Sequence, residues 1–322
     1  MTSATRNRKT AARTTTNTSV RRETSGAGAG RSAGQAPARR RWVAAAAVVA
    51  AAAAVAGGIY TLGRDEGTDD VGGGGDAPYV GGDLHVLTGV DDRLYVGGHD
   101  GAAVSTDGGR SWAALESLRG ADPMGWAQTA DGMLVGGHPG LYRSTDDGAT
   151  FTQVSGDGAV PDVHALGAAG NTAYLASPQA GFLASSDGGV TWQSRNTQVG
   201  QGFMGTILVD PADPQRLIAP DMANGLVTSS DGGATWSRLG GPSGAMAAAW
   251  DPTNIDRLVA VGMADSAIST DGGRTWSPFP VPNGTSAATF SPDGETLYAA
   301  ALDGDTATTY ASTDAGETWT QI

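Results

Sequence analysis

Short apolar runs in residues 79–322 are separated by polar residues typical of tight turns. In one stretch the runs fall at residues 164–166, 172–176, 181–186 and 191–194, with Gly, Asn and Asp among the residues between them. Short runs bounded in this way indicate β-strands joined by hairpins. The same order recurs along the region, so the pattern predicts an all-β fold with four short strands in each repeating unit.

An eight-residue motif recurs six times in this region. Successive copies start 39, 41, 44, 40 and 43 residues apart, and they read STDGGRSW, STDDGATF, SSDGGVTW, SSDGGATW, STDGGRTW and STDAGETW. A short Asp side chain in a tight turn accepts hydrogen bonds from the backbone amides that follow it, and Gly supplies the positive φ of the turn. The final aromatic residue starts the next strand and packs between neighbouring elements. Each motif is therefore predicted to be a hairpin turn.

The aspartates of these motifs are interpreted as structural residues. The alternative is a metal or catalytic role for each, but their presence in every copy favours the structural role. The six residues are Asp107, Asp146, Asp187, Asp231, Asp271 and Asp314.

The motif resembles the Asp-box (BNR) repeat, S-x-D-x-G-x-T-W, and the resemblance extends over residues 79–322. It implies a β-propeller, and about 41 residues per repeat suits a four-stranded blade. We therefore expect a six-bladed propeller of four-stranded antiparallel blades, with strands a to d running from the axis to the rim. Blade one would begin near Asp83 and blade six would end with residues 319–322. Closure of the ring would then depend on packing between blade faces alone.

The first 62 residues have a different composition. Residues 1–41 contain ten Arg or Lys and one acidic residue, a net charge of +9, and so few large apolar side chains that we expect a disordered basic tail. Residues 42–62 carry no charge and are long enough to cross a bilayer. Arg39, Arg40 and Arg41 precede them, so the positive-inside rule places the tail in the cytoplasm.

These features predict a single-pass protein of the cell membrane, with residues 42–62 as a signal anchor and the propeller outside the cytoplasm. Small residues at positions 54–56 leave open the alternative that the anchor is cleaved and the protein is secreted. Residues 63–78 are acidic and rich in Gly, as expected of a flexible linker.

Charge and cysteine content exclude several classes of protein. The net charge of -13 for the whole chain, less the +9 of residues 1–41, leaves -22 for residues 42–322. A fold this acidic is a poor ligand for the phosphates of nucleic acid. The chain has no Cys, which excludes disulfides, thiolate metal sites and a cysteine nucleophile. We expect a monomer that does not bind nucleic acid.

The histidines and most of the methionines occupy equivalent places in the repeats. All of them fall where strand a begins or strand b ends, on the face opposite the Asp boxes, near the mouth of the expected central channel. In a two-stranded hairpin, residues that face each other have numbers that sum to twice the number at the turn centre. This rule places Met124 opposite His138 and Met204 opposite Met222. The candidate ligands at this mouth are His85, His99, Met124, His138, His164, Met204, Met222, Met246 and Met263.

Imidazole and thioether donors together suit copper, especially the monovalent ion, whereas His alone also suits zinc. The sequence therefore raises the hypothesis of a small ligand, a partner protein or a metal ion, with copper as the candidate, at the channel mouth. The alternative is that Met fills gaps in a narrow channel and His makes ordinary hydrogen bonds.

The resemblance also raises the question of glycosidase activity, because related secreted or membrane-anchored bacterial proteins are described as sialidase-like or glycosyl hydrolase-like. A sialidase would be expected to have an early FRIP-type motif and an Arg triad for the substrate carboxylate. This sequence has no FRIP-like segment, and of its propeller arginines only Arg119 is expected on the mouth face.

Two alternatives to a metal-binding propeller remain from the sequence. One is a glycoside hydrolase that uses two carboxylates of the mouth face. The other is a protein-interaction scaffold without catalysis, since the fold alone does not imply an activity. The candidate carboxylates are Asp83, Asp100, Asp122, Asp162, Asp221 and Asp303, with Glu116 nearby.

Overall fold

The computed structural model describes residues 77–322. The predicted basic tail, the signal anchor at residues 42–62 and nearly all of the linker lie outside these residues. In the described part of the chain, no helix is long and apolar enough to span a membrane.

The described residues form six sheets that follow one another along the chain, and the four strands of each blade pair antiparallel with their neighbours. Blades one to three contain the strands β1 (Leu84–Val90), β2 (Arg93–Gly98), β3 (Gly101–Ser105), β4 (Ala113–Ala114), β5 (Asp122–Thr129), β6 (Gly132–His138), β7 (Leu141–Ser144), β8 (Thr152–Gln153), β9 (Ala165–Ala169), β10 (Thr172–Ser177), β11 (Gly181–Ser185) and β12 (Gln193–Asn196). Short 3₁₀ turns lie at Glu116–Leu118 and Gly156–Gly158.

Blades four to six complete the ring. Their strands are β13 (Gly205–Thr206), β14 (Leu208–Val209), β15 (Leu217–Asp221), β16 (Gly225–Ser229), β17 (Ser237–Gly240), β18 (Ala245–Asp251), β19 (Asn254–Gly262), β20 (Ser266–Ser269), β21 (Ser277–Pro278), β22 (Thr285–Phe290), β23 (Leu297–Asp303), β24 (Thr306–Ser312) and β25 (Thr320–Gln321). The prediction of a six-bladed propeller with four-stranded antiparallel blades is confirmed.

Each Asp box forms the turn between the third and fourth strand of its blade. In blade three, Ser185 Oγ donates to Asp187 Oδ1 at 2.6 Å, and Oδ1 accepts from the Thr191 amide at 2.9 Å. Asp187 Oδ2 accepts from the Thr191 hydroxyl at 2.6 Å. The other five boxes repeat all three bonds.

These bonds stabilise the ionised carboxylates. The hydroxyl and amide at the seventh position of the box, together with the hydroxyl of its first Ser, lower the pKa of Asp107, Asp146, Asp231, Asp271 and Asp314 to about 2. In Asp187 the Ser185 hydroxyl is the largest cause of a lowered pKa. The carboxylates are therefore occupied in holding the turns.

Aromatic side chains fill the spaces between neighbouring blades. Phe182 of blade three is fully buried and packs against Trp236, the last residue of the fourth Asp box, with ring centroids 5.0 Å apart. Between blades one and two, Trp126 lies 5.1 Å from the ring of Tyr95 and 5.7 Å from that of Phe151. The aromatic residue that ends each box thus contributes to the core between blades.

The centre of the ring is occupied by the inner strand of blade four. β13 pairs in parallel with β9 of blade three, which makes that sheet five-stranded. A Cβ placed on Gly205 would lie 3.1 Å from the Met246 carbonyl oxygen, 3.9 Å from that of Met124 and 4.0 Å from that of His85. Backbone from blades one, two and five therefore converges on Gly205, so the expected central channel is filled at this level.

The ring is also closed differently from the prediction. The Val80 and Gly81 amides donate to the Asp305 carbonyl at 2.8 and 3.1 Å, and the Ala307 amide donates to the Pro78 carbonyl at 2.9 Å. Tyr79 forms an isolated bridge with Thr306 of blade six. Closure by face packing alone is therefore wrong, because residues 78–81 tie blade six to blade one through backbone hydrogen bonds. A segment of four residues is too short to show a strand pattern in the sequence.

Candidate metal centre

A β-bulge interrupts the inner strand of four blades at the same place. The bulged residues are His85, Met124, Met246 and Ser286, and each lies between two residues that are paired with the second strand. A bulge leaves one residue unpaired and changes the direction of its side chain. In blade four, Met204 follows Phe203, which forms a bridge with Asp221. The inner strands thus begin with equivalent residues.

Two predicted pairings differ from the structure. Met204 was expected to face Met222, but Phe203 bridges Asp221 and the Met204 amide donates to the Pro220 carbonyl at 3.2 Å. Met124 was expected to face His138, but the cross-strand partner of His138 is Asp122. The Met124 bulge accounts for one residue of this two-residue difference, and the turn that pairs Thr129 with Gly132 accounts for the other. An aspartate therefore lies beside the histidine where a thioether was expected.

Three histidines surround Asp122. Its Oδ1 atom lies 3.0 Å from His85 Nε2. Its Oδ2 atom lies 3.0 Å from His138 Nδ1 and 3.6 Å from His99 Nδ1. Asp83 adds a second carboxylate near His85, with Oδ2 3.8 Å from Nε2. Asp122 is therefore a shared centre for the imidazoles of blades one and two.

Asp162, in the connection that leads into blade three, forms a second centre. Its Oδ1 atom lies 2.6 Å from His138 Nε2 and 2.7 Å from His164 Nε2. The rings of His138 and His164 meet edge to face, with centroids 5.3 Å apart. His138 therefore contacts both aspartates, one through each ring nitrogen. All four histidines of the chain belong to one cluster.

Several polar atoms of this cluster are buried without a hydrogen-bond partner. They are His85 Nδ1, His85 Nε2, Asp122 Oδ1, Asp162 Oδ1 and His164 Nε2. The His85 and His164 nitrogens are close to carboxylate oxygens, but their N–H directions do not suit hydrogen bonds to them. The side chains of His85 and Asp122 are only 8% and 10% exposed. Buried polar groups are normally satisfied, so this arrangement requires a physical reason.

The two buried histidines have pKa shifts in opposite directions. Burial disfavours the charged form of His85, but the close approach and negative charge of Asp122 and Asp83 outweigh burial and raise its pKa. Burial lowers the pKa of His164, and the nearby imidazole of His138 lowers it further. The negative charge of Asp162 raises the pKa by less than these effects lower it. Burial also opposes ionisation of Asp122, but the imidazoles of His85, His138 and His99 lower its pKa. These shifts favour the ionised carboxylate of Asp122, the charged form of His85 and the neutral form of His164.

The candidate methionines differ in exposure. Met124 is buried, Met204, Met222 and Met246 are partly buried, and Met263 is 68% exposed. The Met263 side chain lies against Gly244 in the loop that leads into blade five. No methionine sulfur is needed to account for the close contacts between the histidines and Asp122 or Asp162.

Sequence reasoning missed the association of Asp122 and Asp162 with the histidines. Both residues were considered only as carboxylates of a hydrolase. A recurring signal was present in the sequence, because an aspartate stands two residues before His85, Met124 and His164. That spacing places a carboxylate just before the inner strand, or at its first residue, in three successive blades.

The other candidate carboxylates make different contacts. Asp100 Oδ2 accepts from the Tyr79 hydroxyl at 3.2 Å, and Asp221 Oδ1 accepts from the Ala223 amide at 2.7 Å. Glu116 forms a two-point pair with Arg119, at 2.9 Å for each contact. Near Asp221, a cavity of about 400 Å³ lies between the loop of residues 198–203 and the start of the outer strand of blade four.

A family model of the BNR/Asp-box repeat matches residues 267–278, the segment around the fifth box. No curated protein sequence matches the chain. The GH74 xyloglucanase from Xanthomonas campestris (Xcc1752) is 17% identical with a TM-score of 0.51, over 77% of this chain and 46% of the enzyme.

Two other solved structures are similar. The extracellular domain of the one component system BT4673 from B. thetaiotaomicron is 13% identical with a TM-score of 0.51, over 77% of this chain and 34% of that one. YCF48 from Cyanidioschyzon merolae is 17% identical with a TM-score of 0.49, over 78% of this chain and 88% of that one.

This chain covers 46% of the xyloglucanase and 34% of the BT4673 domain, and at these identities the likeness concerns the fold. The six repeats, the matched family model and the six sheets together define the class: the protein is a β-propeller built from Asp-box (BNR) repeats.

Proposed function

We propose that this protein is a membrane-anchored, extracytoplasmic propeller that binds a divalent transition-metal ion at its histidine and aspartate cluster. The observation that carries the proposal is the set of buried, unpartnered donor atoms on His85, Asp122, Asp162 and His164. Three successive blades supply these residues, so the fold brings them together from distant parts of the sequence.

Burial of these polar atoms has an energetic cost. A buried donor or acceptor without a partner costs about 1–3 kcal/mol. His85 Nδ1 is buried without a partner, and His85 Nε2, Asp122 Oδ1, Asp162 Oδ1 and His164 Nε2 make only close contacts that are poorly directed for hydrogen bonds, whereas the buried Ser185 of the third Asp box is fully bonded. An ion that accepts these lone pairs relieves the cost at several atoms at once. The cluster is therefore better explained as a binding site than as part of the core.

The donor atoms favour particular metals. Neutral imidazole and carboxylate suit Zn²⁺, Cu²⁺, Ni²⁺ and Fe²⁺, whereas monovalent copper prefers thioether or thiolate. The close contacts here are between nitrogen and oxygen atoms, so the form of copper that suits this cluster is Cu²⁺. In the usual affinity order of divalent ions, Cu²⁺ binds most tightly and Zn²⁺ less so.

The membrane anchor and the location outside the cytoplasm are supported by the sequence of residues 1–62. An uncharged segment at residues 42–62 follows three arginines, and the acidic propeller comes after it. A metal site on such a propeller would meet ions outside the cytoplasm.

Glycoside hydrolysis is the second candidate, and the cavity near Asp221 favours it. Trp236 and Arg238 line the cavity together with Gln198, Gln201 and Asn224, an aromatic and polar lining suited to a sugar. The fold is similar to that of a xyloglucanase. The Asp221 carboxylate is engaged by the Ala223 and Asn224 amides, which weakens this candidate.

Calorimetric titration of metal-free full-length protein with Cu²⁺ and Zn²⁺ tests the metal proposal. We expect saturable binding of both ions, tighter for Cu²⁺, that is lost when His85 and His164 are both changed to Ala. The matched control is Met263→Leu, on the same face and 68% exposed, which should leave binding unchanged.

Two results would contradict the proposal. One is the absence of saturable binding by the folded protein. The other is loss of binding in Met263→Leu but not in the double histidine variant, which would assign copper to the thioethers. Turnover of a β-glucan by the same preparation would favour the second candidate.

A further inference from the structure

The cluster divides into two groups of three residues. His85, His99 and Asp122 form one group, and His138, Asp162 and His164 form the other. Within each group, one ligand atom from every residue lies within 4.8 Å of the others. We infer that the protein binds two divalent ions, one in each group. This inference rests on the proposed function and adds the number and position of the ions.

The ring of His138 separates the two groups. Its Nδ1 atom faces Asp122 Oδ2 at 3.0 Å, and its Nε2 atom faces Asp162 Oδ1 at 2.6 Å. The lone pairs of the two imidazole nitrogens point away from each other, so an ion bound to Nε2 lies on the far side of the ring from Asp122. One ion therefore cannot use His138 Nε2 and the pair of His85 and Asp122 together.

The contact between Asp122 and His138 has a recognised role in metal sites. A metal-bound histidine commonly donates its second N–H to a carboxylate, which fixes the tautomer and orients the ring. His138 Nδ1 is placed to donate to Asp122 Oδ2, which leaves the Nε2 lone pair for an ion beside Asp162 and His164. Asp122 Oδ1, beside His85, is then free for the first ion. Asp122 thus serves as ligand in one group and as positioning residue for the other.

The two groups share a pattern of exposure. In the first, His85 is 8% exposed and His99 is 68% exposed. In the second, His164 is 12% exposed and His138 is 48% exposed. Each group therefore combines a buried imidazole held by the fold with an exposed imidazole at the solvent side. An ion can reach either group from solvent without passing through the other.

Each group supplies two imidazoles and one carboxylate. Three protein ligands leave coordination positions open on a four- to six-coordinate ion, which water or a small ligand can occupy. Two carboxylates from the groups and the neighbouring Asp83 offset part of the charge of two dications. The chemistry of both groups therefore suits a divalent first-row ion with exchangeable ligands.

The test is the number of Zn²⁺ ions bound by the full-length protein, measured by calorimetric titration and by metal analysis after desalting. We expect two ions per wild-type chain. His99→Ala should retain one ion in the second group, and His164→Ala should retain one ion in the first. The double variant should bind none, with circular dichroism used to confirm that each variant is folded.

Asp122→Asn tests the shared role of this carboxylate. We expect loss of the first ion and a second ion bound about 10- to 100-fold more weakly, the usual effect of removing an outer partner of a metal-bound histidine. An unchanged affinity for the second ion would show that Asp122 does not position His138.

The stoichiometry separates this inference from the proposed function. A wild-type chain that binds one Zn²⁺, lost equally in His99→Ala and His164→Ala, overturns the two-ion inference and leaves the proposed function standing. Two ions retained in both single variants would place the ions elsewhere and overturn the inference. A folded wild-type chain that binds no ion overturns both.

Discussion

Replacement of Val80 by Ala measures how much the N-terminal segment contributes to closing the propeller. Val80 is fully buried and packs in a cluster that includes Leu84 of blade one and Ala300 and Ala307 of blade six. The substitution removes the equivalent of two methylene groups, at about 0.8 kcal/mol each, and leaves a small cavity. Together these effects should destabilise the protein by roughly 2 kcal/mol.

Scanning calorimetry of the full-length protein measures this effect. In a domain of 150–250 residues, 1 kcal/mol lowers Tm by about 2–4 °C, so Val80→Ala should lower it by about 4–8 °C. Val190→Ala is the matched control, because Val190 is 55% exposed and the same change should alter stability by less than about 0.5 kcal/mol. Equal changes in Tm for the two variants would refute the role assigned to residues 78–81.

Two further predictions concern the Asp boxes and the centre of the ring. Folding lowers the pKa of five of the six Asp-box carboxylates from 3.8 to about 2, so the stability that these five add is complete above pH 3.8 and is lost as the pH falls through 2. We expect Tm to drop steeply between pH 4 and pH 2, and Asp271→Asn to make the drop shallower; an unchanged slope would contradict the assignment. Gly205→Ala should lower Tm more than Gly304→Ala does, because both residues have positive φ, at 66° and 62°, but only Gly205 is crowded by neighbouring backbone. Calorimetry of the two variants decides this, and equal effects would show that the centre can accommodate a methyl group.

The sequence predicted the repeating parts of the fold and missed the parts that occur once. Six copies of one turn implied six blades, because every copy buries an aromatic residue at the same position against its neighbour. The parallel pairing of β13 with β9 has no counterpart in other blades, so no repeat could reveal it. The bonds of Pro78 and Val80 to blade six depend on a short extended segment without periodicity.

The candidate site was predicted in part for a similar reason. Antiparallel strands place the start of strand a and the end of strand b on one face. The strand order alone therefore predicted that His85, His99, His138 and His164 lie on the same side. It could not predict the β-bulge at Met124 or the turn that pairs Thr129 with Gly132, which together place Asp122 opposite His138. The contact of His138 with Asp122 depends on this two-residue shift.

The bonds that close the ring also determine how the propeller would respond to mechanical force. Any pull transmitted along the chain from residues before Pro78 reaches the propeller first at the hydrogen bonds to Asp305 and Ala307. Rupture of these bonds would free residues 78–81 from blade six, while the packing of Leu84 against Ala287 and Ala300 and the bond from Ser286 Oγ to the Leu84 carbonyl still joined blades one and six. Stretching should therefore detach this N-terminal segment before any blade unravels.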